Sequence, residues 1–100
     1  MSYKLSIEPA AEDDILEAFY WYEERLEGLG SRYLEELDSA FDRIISNPET
    51  YGEVEPGIRR SVTRTFPYLV FYAYDEATIH ILAVLHAAQD PLYIADRIGA

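Results

Sequence analysis

Apolar and polar residues alternate at the start of the chain, with Tyr3, Leu5 and Ile7 on one side and Lys4 and Ser6 on the other. That period of two is the mark of a half-buried strand. Pro9 then opens a helix, because its missing N–H would be unpaired in a first turn in any case. Glu8, Glu12, Asp13 and Asp14 suit the positive end of that helix's dipole. Ile15, Phe19, Tyr22 and Leu26 recur at helical spacing, Leu16 and Tyr20 widen the face predicted to be buried, and Gly28-Leu29-Gly30 ends the helix. Leu34, Leu37, Phe41, Ile44 and Ile45 predict a second helix that stops at Asn47-Pro48, where the residue before proline is driven out of helical geometry. So short a turn between them makes the two helices antiparallel neighbours.

Residues 49–57, with three glycine or proline residues and three acids, read as a surface loop. From there the period changes, and strands are predicted at 59–66, 68–74 and 78–86, separated by Pro67 and by a turn at Asp75-Glu76-Ala77. In 68–74, Leu69, Phe71 and Ala73 oppose Tyr68, Val70, Tyr72 and Tyr74; in 78–86, Ile79, Ile81, Ala83 and Leu85 oppose His80, Leu82, Val84 and His86. The 59–66 stretch alternates poorly, since Arg60, Val62, Arg64 and Phe66 share a face. The predicted fold is α+β: an N-terminal strand, an antiparallel helical hairpin, then a three-stranded antiparallel meander, with the helices packed on one face of a single sheet.

The 100 residues suit one domain spanning 1–100, and 49% hydrophobic residues are enough to offset the entropy of ordering the chain. Absence of cysteine excludes disulfides, thiolate zinc sites and a cysteine nucleophile. No secretory leader pattern precedes the first strand, and the apolar run 79–88 is broken by two histidines, so a cytoplasmic location and no membrane role are expected. Charge changes the picture more. Residues 8–49 carry 13 acidic and 3 basic side chains, a net of −10, and the rest carry 6 acidic and 5 basic, a net of −1. An acidic half disfavours nonspecific binding of nucleic acid and favours a basic partner.

His80 and His86 fall on the same predicted strand face, but six residues at about 3.3 Å each hold them roughly 20 Å apart, too far to share a metal. The acidic pairs Asp13 with Glu17 and Glu23 with Glu27 read as solvated helix faces rather than cation sites. With no glycine phosphate loop, nucleophile elbow or zinc spacing, neither a cofactor nor a metal is expected. Arg59, Arg60 and Arg64 stand out, being three of eight basic residues within six positions and followed by Phe66, Tyr68, Tyr72 and Tyr74. Guanidinium groups bind phosphate and aromatic rings stack on bases, whereas the plain alternative is pairing with the protein's own carboxylates.

Ile58-Arg59-Arg60, Phe66-Pro67-Tyr68, Val70-Phe71-Tyr72, the stretch from Ile79 to His86 and Asp90-Pro91, in this order after a helical hairpin ending at Asn47-Pro48, resemble the RelE/ParE family of toxins. These are the toxin components of type II toxin–antitoxin systems, also called plasmid stabilisation proteins, and the likeness spans essentially the whole chain. The resemblance implies a cognate antitoxin that wraps the helices and sheet, in a heterotetramer or larger complex. The acidic hairpin then predicts a basic C-terminal segment on that partner, with an association rate that falls as salt rises. Members resembling RelE cut mRNA on the ribosome without a metal. Arg60, Arg64 and His86 are the matching catalytic candidates here, an arginine holding the transferring phosphate and His86 moving a proton. Members resembling ParE inhibit DNA gyrase without catalytic residues of their own. Ala73 and Ala88-Gln89 stand where many relatives carry arginines, which favours the ParE branch, with Arg59, Arg60, His86 and Arg97 as target-binding candidates. A non-toxic relative that keeps only antitoxin binding is the remaining alternative.

Overall fold

The computed structural model describes residues 2–99. Along the chain run β1 (Lys4–Ile7), α1 (Pro9–Arg25), α2 (Leu29–Ser46), β2 (Glu53–Glu55), β3 (Ile58–Val62), β4 (Tyr68–Tyr74), β5 (Thr78–His86) and α3 (Pro91–Arg97). The strands form one sheet in the order β1-β5-β4-β3-β2. β1 lies parallel to β5 and the other neighbours are antiparallel. Parallel pairing of the two needs a long crossover, which the helical hairpin and the rest of the meander supply.

The predicted architecture holds, with two additions. A short strand, β2, lies inside the predicted 49–57 loop; it is held by pairing with β3 and shows no apolar alternation of its own. The second addition is α3, opened by Asp90, whose carboxylate accepts the Leu92 N–H at 2.9 Å, and by Pro91 in the first turn.

The helices cover one face of the sheet. Ala11, Ile15 and Ala18 of α1 and Tyr33, Leu37, Phe41 and Ile44 of α2 pack there on Tyr68, Val70, Tyr72, Ile79 and Ile81. The buried stripe of α1 therefore runs through two alanines. Leu16, Tyr20 and Leu26, expected to join it, are 50%, 59% and 60% exposed. Small side chains bring α1 close to its neighbours, and the larger ones beside them turn outward. Gly30 lies inside α2 rather than ending α1, and a Cβ there would meet the Phe19 ring and carbonyl oxygen at 2.8 Å, so the residue marks the closest approach of the helices. Glu23, read as part of a solvated face, instead accepts the N–H groups of Gly28 and Gly30 at 2.9 Å each and closes the start of α2.

β3 ends at Val62, short of the predicted 66. Thr63 turns the chain, its N–H donating to the Tyr68 carbonyl at 2.9 Å and its hydroxyl accepting the Tyr68 N–H at 2.9 Å. Phe66 swings from that turn into the helix-side core. In β5 a register shift pairs Phe71 with Ala83 but Tyr72 with Ile81, leaving Leu82 unpaired as a bulge. The extra residue reverses the alternation. Ile79, Ile81 and Val84 belong to the helix side, whereas Ala83 and Leu85 join Leu69 and Phe71 on the other, beneath Ile94 and Ile98. His80 and His86, expected on one face, consequently lie on opposite faces, as their partners Ala73 and Tyr68 do. No helix among the described residues is long and apolar enough to cross a membrane.

Candidate functional site

The arginines singled out from the sequence are distributed over different surfaces. Arg59 sits opposite Tyr72 and its guanidinium donates to the carbonyls of Tyr51 at 2.7 Å and Glu49 at 3.2 Å, so it pins the segment leading into β2. Arg60 sits opposite Phe71, on the sheet face turned away from α1 and α2, and is exposed. Arg64 is exposed in the turn between β3 and β4, beside α2.

Arg97 is bound within the fold. Its guanidinium donates to both oxygens of Asp14, at 2.8 and 2.7 Å, and to the Tyr93 hydroxyl at 3.0 Å. Its side chain is 18% exposed and that of Asp14 11%. Hydrogen bonding to Asp14 holds the guanidinium's pKa above its ordinary value against the opposing effect of burial. The same carboxylate accepts the Val84 N–H at 3.1 Å. β1 pairs with β5 only as far as Ile81, so Asp14 occupies the open edge that β5 presents beyond its neighbour, and Arg97 ties α3 to that point.

His86 stands at the end of β5 in a groove of about 450 Å3 between α1 and the sheet, walled by Glu17, Trp21, Tyr22, Tyr68 and Tyr93. Its ring meets Tyr68 edge-on at 5.2 Å between centroids. Its Nδ1 accepts the Ala88 N–H at 3.0 Å, which assigns the ring hydrogen of neutral His86 to Nε2. Burial first, and hydrogen bonding with Tyr22 second, push the Tyr68 hydroxyl well above the usual tyrosine range, so it serves as a neutral hydrogen-bonding group.

Arg60, Arg64 and His86 are thus not brought together. Arg60 and His86 lie on opposite sides of the sheet, fixed there by the pairings Arg60 with Phe71 and His86 with Tyr68. Among the described residues no three metal-ligating side chains cluster. What the sequence reading missed is the Asp14–Arg97 clamp, whose partners are 83 residues apart, and the groove around His86. Asp90-Pro91, with the helix-start chemistry of an acceptor followed by proline, was the available signal for α3.

Residues 5–91 match the family model described as the ParE toxin of the type II toxin–antitoxin system parDE. The chain is 29% identical over 92 residues to toxin ParE2 of Mycobacterium tuberculosis, in strains CDC 1551 / Oshkosh and ATCC 25618 / H37Rv, covering 91% of this chain and 88% of that protein. In a solved structure of the chromosomal ParDE TA system from P. aeruginosa, one chain shares the fold with a TM-score of 0.74 at 14% identity, over 84% of this chain and 95% of that one. With the family model spanning most of the sequence and the fold in agreement, the chain belongs to the ParE toxin family of type II toxin–antitoxin systems.

Proposed function

We propose that this toxin arrests growth by binding DNA gyrase, without a catalytic step of its own, and that a cognate antitoxin with a basic C-terminal segment neutralises it. The separation of Arg60 from His86 on opposite faces of the sheet is the observation that carries this reading. Cleavage of RNA through its 2′-OH needs a proton carrier and a phosphate-binding cation within hydrogen-bond reach of one reacting group. His86 as a general base would have to accept at Nε2, which requires the other tautomer and the loss of its bond from Ala88.

The proposed target surface is the face of the sheet that carries α3. Arg60 and Val62 of β3 are exposed there, and Leu92 and Tyr93 of α3 are 79% and 42% exposed. Arg59 and Arg97, with their guanidiniums engaged inside the fold, position β2 and α3 rather than touch the target. His86 contributes from the adjoining groove, which Tyr93 of α3 also walls. The antitoxin reading rests on the family and on the surplus of acid in residues 8–49.

Gyrase supercoiling assayed with the purified chain provides the test. Inhibition is expected, weakened roughly tenfold by Arg60→Ala, as loss of one exposed cationic contact at an interface predicts, with the unfolding midpoint unchanged. Unimpaired supercoiling together with ribosome-dependent mRNA cleavage would transfer the assignment to an endoribonuclease. Unimpaired supercoiling with no cleavage would leave antitoxin binding as the chain's activity.

A further inference from the structure

The acidic stretch from 8 to 49 contains only three basic residues, Arg25, Arg32 and Arg43. Arg25 is accounted for, since its guanidinium stacks 3.3 Å above the Trp21 ring and donates to the Trp21 carbonyl at 2.8 Å. The other two line a single groove of about 450 Å3 between α2 and the β3–β4 turn, together with Arg64 from that turn. All three of these arginines are exposed, and none forms an ion pair among the described residues.

That pattern needs explaining in a chain of net charge −11, where unpaired cations have carboxylates all around them. Of the two carboxylates that line the groove, Glu36 is committed elsewhere: its two oxygens accept the N–H groups of Thr65 and Phe66 at 3.1 and 2.8 Å. Burial raises the Glu36 pKa, but those backbone hydrogen bonds outweigh it and leave the carboxyl below its ordinary value, so it stays an anion anchoring the turn. Glu36 thereby fixes Arg64 against α2, and neither it nor Glu35, which also lines the groove, forms an ion pair with the three guanidiniums.

We infer that this groove is a binding site for a ligand carrying two or more linked phosphates. Positions 32 and 43 are three helical turns apart, so they share a face of α2 while their backbones stand roughly 16 Å apart along its axis. Two arginine side chains reaching inward from that separation, with Arg64 facing them from the turn, bracket a chain of phosphates better than a single one. Each guanidinium offers a planar pair of donors matched to phosphate oxygens. Duplex DNA fits poorly, because the chain's overall charge repels an extended polyanion. Bound there, the ligand cross-links α2 to the β3–β4 turn, and through the bond from Ala87 N–H to the Pro67 carbonyl at 2.8 Å that turn adjoins the segment carrying His86. The site is separate from the proposed gyrase-binding surface, and its test does not depend on that reading.

Thermal unfolding of the full chain in sodium pyrophosphate, against sodium sulfate and sodium chloride at matched ionic strength, decides the matter. Binding is expected to raise the midpoint by roughly 10–20 °C at a hundredfold excess over the dissociation constant. The Arg43→Gln, Arg64→Gln double variant should weaken pyrophosphate roughly tenfold or more, a loss in keeping with two charge-assisted contacts, and Arg25→Gln should not. Because neither guanidinium of the double variant has an internal partner, its midpoint without ligand should match the parent; should it fall, Arg43→Gln alone carries the comparison. Stronger binding of ADP or ATP than of pyrophosphate would identify a nucleotide as the ligand, and equal binding a free polyphosphate. No rise in midpoint, an equal rise in sulfate, or a rise that survives removal of both arginines would overturn the inference, since screening of the chain's own charge would then account for any effect.

Discussion

On one side of the sheet Tyr68, Val70, Tyr72, Ile79 and Ile81 lie beneath two helices of 17 and 18 residues. On the other, Leu69, Phe71, Ala83 and Leu85 lie beneath a seven-residue helix with no fully buried residue. The helix side is a conventional core, closed by many side chains from both α1 and α2. The α3 side is closed mainly by Ile94 and Ile98 and by the pairing of Arg97 with Asp14. Free energy for opening is therefore expected to differ between the faces, the α3 side opening locally while the helix side opens only with global unfolding. A toxin that meets its target through the α3 side would gain an adaptable surface without weakening its scaffold.

The largest test of that contrast is Ile81→Ala. Ile81 has no exposure and belongs to the helix-side core, so truncation should cost about 3–4 kcal/mol in denaturant unfolding. Leu85→Ala, on the α3 side at 3% exposure, should cost about 2 kcal/mol because the short helix can settle into the space. Equal losses would mean that both faces belong to one cooperative core.

A smaller effect separates local from global opening. Arg97→Ala leaves the Asp14 carboxylate without its cation but still bonded to the Val84 N–H, at a cost of about 1.5 kcal/mol for a partly solvated charged contact. Hydrogen exchange should show where the loss falls. The amides of α3 and of Val84, which Asp14 caps, are expected to lose protection, while those of α2 keep theirs. Uniform loss of protection would instead make the clamp part of the global fold.

The contrast between the faces was only half legible in the sequence. The helical hairpin and the central strands announce themselves, because large apolar side chains recur there at spacings of three and four or of two. The α1 stripe was misplaced because Ala11 and Ala18, which allow the close approach, carry little hydrophobic signal beside Leu16 and Tyr20. Residues 81–85 are all apolar, so nothing in the pattern betrays the bulge at Leu82; register against β4 creates it. β2 exists by pairing, and Glu53-Val54-Glu55 on its own reads as loop. For the site, the chemistry of Arg60, Arg64 and His86 was visible, but the separation of Arg60 from His86 was not, since it follows from the register of β3 and β5 against β4. Arg97 was legible as a cation and not as the partner of Asp14, because a contact across 83 residues leaves no local trace.

Alkaline pH sharpens the comparison at the smallest scale, because the helix side contains the buried phenols Tyr33, Tyr68 and Tyr72 and the α3-side core contains none. The Tyr72 hydroxyl donates to the Pro48 carbonyl at 2.6 Å, so Tyr72→Phe leaves that carbonyl unpaired and should cost about 1 kcal/mol at neutral pH. Burial raises the Tyr72 pKa from 10.0 to about 12. Since the folded value is the higher one, the stabilisation is fully present below pH 10 and is lost as pH rises through about 12, where the folded phenol also ionises. Burial raises Tyr33 and Tyr68 in the same direction, so all three phenols steepen the loss of stability above pH 10. Urea midpoints measured across that window should fall less steeply for Tyr72→Phe than for the parent, and the two stability curves should converge as the parent's phenol ionises. Parallel curves would place the alkaline lability elsewhere, and early exchange of the α3 amides at high pH would locate it on the face that has no buried tyrosine.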